Sequence, residues 1–564
     1  MNIEGATITK ERKWLGIERP AVFFLLFWLL LNIVQVSLME LTSDEGYYWF
    51  YAQHLQWGYY DHPPMIAAMI KAGTSFLPGE LGVRFFNVLF STAGLYLFFR
   101  LLPDDYQSSK KTYLLLLAAP LLHYLTFLVF PDGPLLFFSL LFLYAYKQFL
   151  QKQTLALALC IGLALAMMAY SKYHGALVLL FTVLANPRLL KSGCFYFSIF
   201  VAALFFLPHA LWQFNNDFPT LQYHLSGRTS GWSFKHVGEY LSQQIFAIGP
   251  ALIFLPFVFK TKDVFERTLK FIAIGTLAFF LVSSFKTFVH FHWTSIALFP
   301  LLYFAVFYYH NPQKKKLFNS LILPFIVLFF VARILLMFPL IPAMHAGEDY
   351  YHGRKQWAKE IASVAGDRPV LMPNNLREAS LYSFYSGKQG IALYTRQEKK
   401  SQYELWGYED SLQAKEVMVV LKDSFSRSRH LPNTLNQHLY YDVFPAFSSY
   451  YSGVLINATV SEYNKDTVEA SVTIINKRTS SLLFSNGLKG ETATLIASIE
   501  KGKTTIKTVI LEHLFFKLPP YDSITRLVKV PVNDLSAGNY SLYFGIRNGM
   551  LPDAILSNGY SYSK

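Results

Sequence analysis

Apolar and polar positions follow different patterns in the two parts of the chain. Residues 1–339 consist mainly of long apolar runs separated by short polar loops. Residues 340–564 contain no apolar run of the roughly 20 residues that a membrane helix needs. The pattern therefore predicts a membrane domain over 1–339 and a water-exposed region over 340–564. Eleven runs are candidate membrane helices: 20–39, 80–100, 112–130, 133–149, 154–170, 174–191, 195–213, 241–259, 268–284, 293–309 and 317–339.

The water-exposed region shows two further patterns. Residues 340–446 combine a helical stretch, Gln356–Val364, with short strand-like runs such as Val417–Leu421, which favours a small α/β module. Residues 447–564 alternate between apolar and polar positions with turn signals between the runs, which is typical of a β-sandwich domain. The alternating runs begin at Val454, Val468 and Tyr540, and the turn signals stand at Asn486 and Asn548.

Charge changes this picture by giving the membrane domain an orientation. The chain carries 50 Lys and Arg against 36 Asp and Glu, a net charge of +14. The basic residues concentrate in loops that share one side if the spans alternate, and the positive-inside rule assigns that side to the cytoplasm. The N-terminus is then cytoplasmic and, after eleven spans, the C-terminal region is exterior. Because topology explains the basic excess, we expect no nucleic-acid partner.

Composition excludes other classes. Charged residues make up only 15% of the chain, whereas soluble domains carry about 25%. Two cysteines cannot build a disulfide scaffold or a cysteine zinc site.

Ionisable residues gather in the loops predicted to be exterior. Asp44 and Glu45 follow the first span, and the aromatic stretch after them ends in Asp61, His62 and the pair Pro63–Pro64. The alternative interpretation is an aromatic belt at the lipid–water boundary beside solvated acids, and such a belt would explain the aromatic residues. It would not explain the acids or the rigid proline pair, which suits a site that must hold its ligands still.

The other exterior loops add an acid and several cationic groups. Asp132 lies in a short hairpin between two spans, where it is either a helix cap or a functional acid. His224 and Arg228 are four residues apart and would share a helix face. Acids beside cations suit transfer from a lipid-phosphate donor, because phosphate attracts cations and an acceptor hydroxyl needs a carboxylate to take its proton. The remaining exterior candidates are Lys172, Lys286, His290 and His292.

The first loop resembles a known superfamily. Its acidic pair, with Asp61-His62-Pro63-Pro64-Met65 and the Pro-Asp132-Gly-Pro hairpin, resembles the bacterial protein O-mannosyltransferase and aminoarabinose-transferase superfamily over residues 20–340. The resemblance implies the GT-C fold: a polytopic helical membrane enzyme whose active site faces outward. It also implies a polyprenyl-phosphate sugar donor and location in the bacterial inner membrane.

Roles carry over by position from this resemblance. Asp44 matches the essential acid that is the candidate general base, and Asp132 matches a second essential acid. Asp61 and His224 match residues that hold a metal ion, so a divalent metal is an implied cofactor. His62 stands where those enzymes carry a lysine that contacts the donor phosphate.

The sequence therefore predicts an inverting glycosyltransferase in the lipid bilayer. The donor would be a polyprenyl-phosphate sugar, and the acceptor a hydroxyl of lipid A, another glycolipid, a glycan or a protein. A transporter or flippase for a lipid-linked sugar is the alternative, and the β-sandwich could be a carbohydrate-binding or assembly module. The predicted catalytic residues are Asp44, Asp132 and Glu45, and the predicted substrate-binding residues are His62, Tyr47, Tyr60, Lys172, Arg228, Lys286, His290 and His292.

Overall fold

The computed structural model divides the chain into two compact units. The first unit comprises Met1–Leu41 and Tyr48–Met344, and the second comprises Thr42–Tyr47 and His345–Lys564. The described residues are 13–225, 232–341, 351–396, 400–424, 428–435, 437–445, 447–463, 466–484, 493–502, 504–549 and 551–564.

The first unit is almost entirely helical. A short β-ribbon, β1 (Lys13–Trp14) and β2 (Ile17–Glu18), precedes its helices. The helices are α1 (Arg19–Leu38), α2 (Ser43–Gln53), α3 (Met65–Thr74), α4 (Gly79–Leu101), α5 (Asp104–Gln107), α6 (Lys110–Leu117), α7 (Pro120–Phe127), α8 (Asp132–Gln151), α9 (Leu155–Ser171), α10 (Gly175–Ala185), α11 (Gly193–Asn215), α12 (Pro219–Leu225), α13 (Phe234–Ile248), α14 (Pro250–Ile253), α15 (Leu255–Val258), α16 (Val264–Ser284), α17 (Leu298–His310) and α18 (Lys315–Met337), with 3-10 helices at Pro187–Lys191, Phe291–Ala297 and Pro312–Lys314.

Six segments of the described chain are long and apolar enough to cross a membrane. They are Arg19–Leu38, Gly79–Leu101, Asp132–Gln151, Gly193–Asn215, Phe291–His310 and Pro312–Met337. Shorter apolar helices coincide with other predicted spans, among them Leu155–Ser171 and Gly175–Ala185. The count of eleven spans stays a prediction.

Two predicted spans are interrupted. The run 112–130 forms α6 and α7, and the second of these helices starts at Pro120, which has no backbone N–H to continue α6. The run 241–259 breaks at Gly249, whose φ of +90° is a conformation that other residues rarely adopt. Proline and glycine therefore divide apolar runs that hydropathy alone joins.

The C-terminal end of α1, where the first loop begins, is held by a buried side chain. Arg84 of α4 is fully buried and donates to the carbonyls of Met39 at 2.5 Å and Glu40 at 2.8 Å, just beyond the C-terminus of α1. A cation there also complements the negative end of the α1 dipole. The residue fixes where the first loop leaves α1.

The second unit is rich in sheets, as the sequence predicts. Its helices are α19 (Arg354–Ala365), α20 (Leu376–Ser386), α21 (Gln402–Leu405) and α22 (Tyr408–Leu412). Its strands are β3 (Val370–Leu371), β4 (Gly390–Ile391), β5 (Val417–Leu421), β6 (Arg429–His430), β7 (Tyr440–Phe444), β8 (Val454–Tyr463), β9 (Thr467–Asn476), β10 (Leu482–Phe484), β11 (Ala493–Lys501), β12 (Thr504–Leu514), β13 (Phe516–Leu518), β14 (Ser523–Pro531), β15 (Asn539–Asn548), β16 (Ala554–Ile555) and β17 (Tyr560–Ser563).

These strands form an α/β module followed by a two-sheet region. The module has the strand order β4-β3-β5-β7-β6, in which β3 pairs in parallel with β4 and β5, and the other pairs are antiparallel. The two-sheet region contains the sheets β12-β11-β15-β16 and β14-β9-β8. Burial alternates residue by residue along β9, because one face of its sheet packs on the core and the other faces water. The turn predicted at Asn486 lies outside the described residues.

Candidate active site

The most densely bonded acid of the first unit is Asp132. Its side chain has no exposed surface and accepts hydrogen bonds from Lys172 Nζ at 2.8 and 3.0 Å. His292 Nδ1 lies 2.9 Å from Asp132 Oδ2, and Ser295 Oγ donates to Oδ1 at 3.1 Å. We call these four residues the Asp132 cluster. Because a buried carboxylate is costly unless it is paired and hydrogen-bonded, these partners are what allow the charge to be buried.

Local structure explains why these side chains meet. Asp132 is the first residue of α8, where the helix dipole favours a negative charge. Lys172 directly follows the last residue of α9. His292 and Ser295 belong to the 3-10 helix Phe291–Ala297, in which residues three apart lie on the same side.

The hairpin that carries Asp132 is held by Asn87 of α4. The Asn87 amide donates to the carbonyls of Leu125, Thr126 and Leu128 at 2.8 to 3.0 Å, at the C-terminus of α7. A β-carbon at Gly133 would lie 2.1 Å from Asn87 Oδ1. The glycine of the motif is therefore required for the amide to approach the hairpin.

A second acidic group lies in the first loop. Asp61 accepts a hydrogen bond from the Tyr51 hydroxyl, and its Oδ2 lies 3.9 Å from His62 Nε2. His62 Nε2 also lies 3.4 Å from the Tyr48 hydroxyl. The Asp61 and His62 side chains are 17% and 19% exposed, so this pair, unlike Asp132, is open to solvent or substrate.

Aromatic rings connect this pair to the Asp132 cluster. The ring of Tyr48 lies 5.5 Å from that of His62 and 6.3 Å from that of Phe130. Phe130 in turn stacks on His292 at 5.2 Å. The structure thus brings Asp61, His62, Lys172 and His292 into one region.

A polar network supports the Asp61 loop from the other side. The Tyr173 hydroxyl is 2.7 Å from His209 Nε2, and His209 Nδ1 lies 2.6 Å from the carbonyl of Trp57. Since a carbonyl only accepts, Nδ1 carries the proton and Tyr173 donates to Nε2. Burial raises the pKa of Tyr173 to about 12, so its hydroxyl stays a donor at neutral pH. Sequence reasoning missed His209 because it lies inside an apolar run.

Apolar space adjoins the Asp132 cluster. A groove with a cavity volume of about 370 Å³ is lined by Tyr124, Ser242 and Phe329 together with Pro120, Leu121, Gln243, Phe246, Ala247 and Phe291. The ring of Tyr124 lies 5.4 Å from that of Phe130 and 6.3 Å from that of His292. The groove and the charged cluster therefore share a wall of aromatic side chains.

Three other predicted residues of the first unit contact aromatic rings. Tyr60 contacts the ring of Tyr223 on α12 at 5.8 Å. Lys286 lies over the ring of Trp232 at 5.7 Å, and the exposed His290 lies 5.6 Å from the ring of His292. Arg228 and the side chain of His224 lie outside the described residues.

Three predicted residues belong to the second unit. Glu45 is fully buried, and its carboxylate accepts from Thr42 N at 2.9 Å while Thr42 Oγ1 accepts from Glu45 N, a capping box at the start of α2. Asp44 forms an ion pair with Arg377, and the Tyr47 hydroxyl accepts from Gln402 N at 3.1 Å. The pattern TSDE marks this helix start in the sequence, whereas nothing in it indicates Arg377.

The predicted metal site around Asp61 is described only in part, because the side chain of His224 lies outside the described residues. Among the side chains that the structure describes, no group of three His, Cys, Asp or Glu is placed to hold a metal ion. One oxygen of Asp61 accepts from Tyr51, and among the described side chains His62 lies 3.9 Å from the other oxygen. We therefore derive no chemical step through a metal.

Comparison with known proteins finds similarity to glycosyltransferases. The model of the family described as dolichyl-phosphate-mannose-protein mannosyltransferase matches residues 61–212, which include Asp61, His62, Asp132 and Lys172. The lipid A galacturonosyltransferase RgtD of Rhizobium johnstonii (strain DSM 114642 / LMG 32736 / 3841) is 26% identical over 262 residues, covering 42% of this chain and 53% of RgtD. The chain thus spans about half the length of this curated relative.

Solved structures extend the likeness to about three quarters of the chain. Apo ArnT from Cupriavidus metallidurans superposes with a TM-score of 0.55 at 15% identity, covering 74% of this chain and 97% of ArnT. ArnT bound to undecaprenyl phosphate gives the same TM-score and coverage at 14% identity. The chain has the GT-C glycosyltransferase fold. The predicted resemblance is confirmed, and the chain is a multi-pass membrane protein.

Proposed function

We propose that the chain transfers a sugar, with inversion, from a polyprenyl-phosphate donor to a hydroxyl of lipid A or a related glycolipid. The reaction would take place at the outer face of the bacterial inner membrane. Two likenesses support the substrates: one relative is named a lipid A galacturonosyltransferase, and one structural neighbour was solved with undecaprenyl phosphate. Both statements concern those proteins, and we extend them to this chain as a hypothesis.

One observation carries the proposal: the apolar groove and the Asp132 cluster share the Tyr124 wall. A lipid-phosphate donor has an apolar tail joined to an anionic head, so its site must place apolar surface beside cations. The groove offers the first and Lys172 with His292 the second. The fully buried Asp132 then has the role of holding these two groups in place.

The proposed reaction is a displacement at the anomeric carbon. The acceptor hydroxyl oxygen forms a bond to that carbon on the face opposite the phosphate, and the bond between the carbon and the phosphate oxygen breaks. The lipid phosphate leaves with the bonding electrons, and the hydroxyl proton passes to the carboxylate of Asp44. A positioned base of this kind contributes about 10²- to 10⁴-fold in rate.

Cationic groups of the exterior loops would stabilise the departing phosphate. His62 is the partly exposed candidate beside the Asp132 cluster, and Lys286 and Arg228 keep the roles that the sequence assigns to them. Electrostatic stabilisation of the leaving group can contribute as much as the base. A metal held by Asp61 and His224 stays a prediction and has no part in this mechanism.

The test is turnover by the detergent-purified full chain. We would incubate it with a panel of undecaprenyl-phosphate sugars and lipid A, and measure release of free lipid phosphate and formation of glycosylated lipid A. We expect both products in equal amounts with at least one donor. Movement of the intact donor across proteoliposome membranes without release of lipid phosphate would reject transfer in favour of a flippase.

A further inference from the structure

Residues Thr42–Tyr47, which we call the anchor segment, form part of the second unit. Asp44 Oδ1 lies 2.7 Å from Arg377 Nε, and the Tyr47 hydroxyl accepts from Gln402 N at 3.1 Å. Between them, a β-carbon on Gly46 would lie 3.0 Å from the Cα of Leu381, so the backbones are in close contact. Three contacts within four residues therefore hold the anchor segment against the α/β module.

Arg377 stands at a rigid place in that module. It is the second residue of α20, which follows β3. Asn375 caps this helix by accepting from Glu378 N, and the Asn375 amide donates to Glu378 at 2.5 Å. A capped first turn holds the backbone under the Arg377 side chain in one conformation.

The partial exposure of the Asp44–Arg377 ion pair favours a functional role over a purely structural one. The Asp44 side chain is 24% exposed and that of Arg377 is 58% exposed. An exposed ion pair contributes only about 0 to 1 kcal/mol to stability, so it is a weak explanation for holding the fold together. A planar guanidinium does, however, restrict the orientation of a carboxylate that it contacts.

We propose that Arg377 is a positioning residue for Asp44, and this inference rests on the proposed function, in which Asp44 is the base. Arg377 would hold the carboxylate in the orientation that receives the acceptor proton. When the hydroxyl binds, its proton moves to Asp44 and the ion pair lengthens, and the exposed guanidinium remains hydrated. This contact lies within the second unit, to which both residues belong.

The experiment compares Arg377→Gln and Arg377→Lys with a matched control in the full-length protein. The control is Arg547→Gln, because Arg547 Nε lies 2.7 Å from Asp553 and that carboxylate is also 24% exposed. We expect Arg377→Gln to lower kcat about 10- to 100-fold with KM for the donor within about twofold, since small misplacement of a reacting group costs that much. Arg377→Lys should recover part of kcat, and Arg547→Gln should match the wild type.

Chemical rescue separates positioning from folding. Guanidinium ion at millimolar concentration should raise turnover of Arg377→Ala, because the vacated place is open to solvent, but not of Asp44→Asn. If Arg377→Gln does not fold, as judged by thermal unfolding in detergent, Arg377→Lys and the rescue carry the test. No rescue of a folded Arg377→Ala would overturn the positioning role.

A double variant distinguishes the positioning role of Arg377 from the base role of Asp44. If Arg377 acts through Asp44, Asp44→Asn with Arg377→Gln should be no less active than Asp44→Asn alone. Independent, multiplying losses would overturn the positioning role, as would a wild-type kcat for Arg377→Gln. Full activity of Asp44→Asn would instead reject the base in the proposed function.

Discussion

Asp132 and Asp44 are both predicted catalytic acids, but they have very different surroundings in the structure. Asp132 has no exposed surface and contacts Lys172, His292 and Ser295, whereas Asp44 is 24% exposed and paired with Arg377. A carboxylate enclosed by three partners can fix those partners but has no open side for a substrate. A partly exposed carboxylate can exchange a proton with one.

The largest effect should follow removal of the Asp132 charge. Asp132→Asn leaves Lys172 buried without its ion-pair partner, which typically costs about 3 to 5 kcal/mol of unfolding free energy. We expect no detectable transfer together with a lower thermal unfolding midpoint in detergent.

Asp104→Asn is the control for that experiment, because Asp104 pairs with Lys13 at 2.7 Å on the surface. It should cost at most about 1 kcal/mol. Equal stability of the two variants would contradict the assignment of Asp132 as the centre of a buried cluster.

Asp44→Asn should instead separate activity from stability. We expect turnover to fall about 10²- to 10⁴-fold, the range typical of a lost general base, with an unchanged unfolding midpoint. Asp553→Asn removes an equally exposed carboxylate of the same unit and should leave turnover unchanged. If both variants lost activity to the same extent, the effect would reflect the stability of the unit rather than chemistry.

Burial also changes the titration of Tyr59, a tyrosine of the first loop. Burial raises the pKa of Tyr59 to about 12, against about 10 in an unfolded chain. Between pH 10 and 12 the unfolded state therefore ionises first, and stability present below pH 10 is lost as the pH rises. Tyr59→Phe should therefore reduce the alkaline decrease in unfolding free energy by up to about 2 to 3 kcal/mol. Identical pH profiles of unfolding for the two proteins would show that Tyr59 is not buried.

The smallest effect concerns access from the lipid side. Ser242 is an exposed residue of the groove whose hydroxyl donates to the carbonyl three residues earlier, as that of the exposed Ser320 does. Ser242→Trp should raise KM for long-chain donors about tenfold, roughly 1.4 kcal/mol of binding. Ser320→Trp, outside the groove, should not. An equal rise in KM for short-chain donors would show that the lipid tail does not bind in the groove.

Much of the membrane unit follows from hydropathy, because a run of apolar residues can only be buried or face lipid. The interruptions at Pro120 and Gly249 depend on single residues that a hydropathy average hides. In the second unit, Val417–Leu421 forms the predicted strand, and β15 ends at Asn548 where the turn was expected. Short-range patterns thus predict elements well.

The sequence could predict a site residue only where an ionisable side chain occurs in an otherwise apolar stretch. Asp132 stands out because an acid in a short hairpin between apolar runs needs a partner, and Lys172 was among the candidates. Ser295, Tyr51 and Arg377 carry no such signal, because a serine, a tyrosine or an exposed arginine is ordinary in its setting. Their roles arise from contacts between distant parts of the chain, which only the fold reveals.

The Asn87 amide has a practical consequence for anyone who would graft this hairpin into another helical bundle. The motif Pro-Asp-Gly-Pro alone would not retain its shape, because the Asn87 amide of α4 holds the segment before it by hydrogen bonds. Gly133 contributes only the space for that amide, since it has no β-carbon. A transplant must bring Asn87 with it. A recipient scaffold without that asparagine would leave three carbonyls unsatisfied and the acid misdirected.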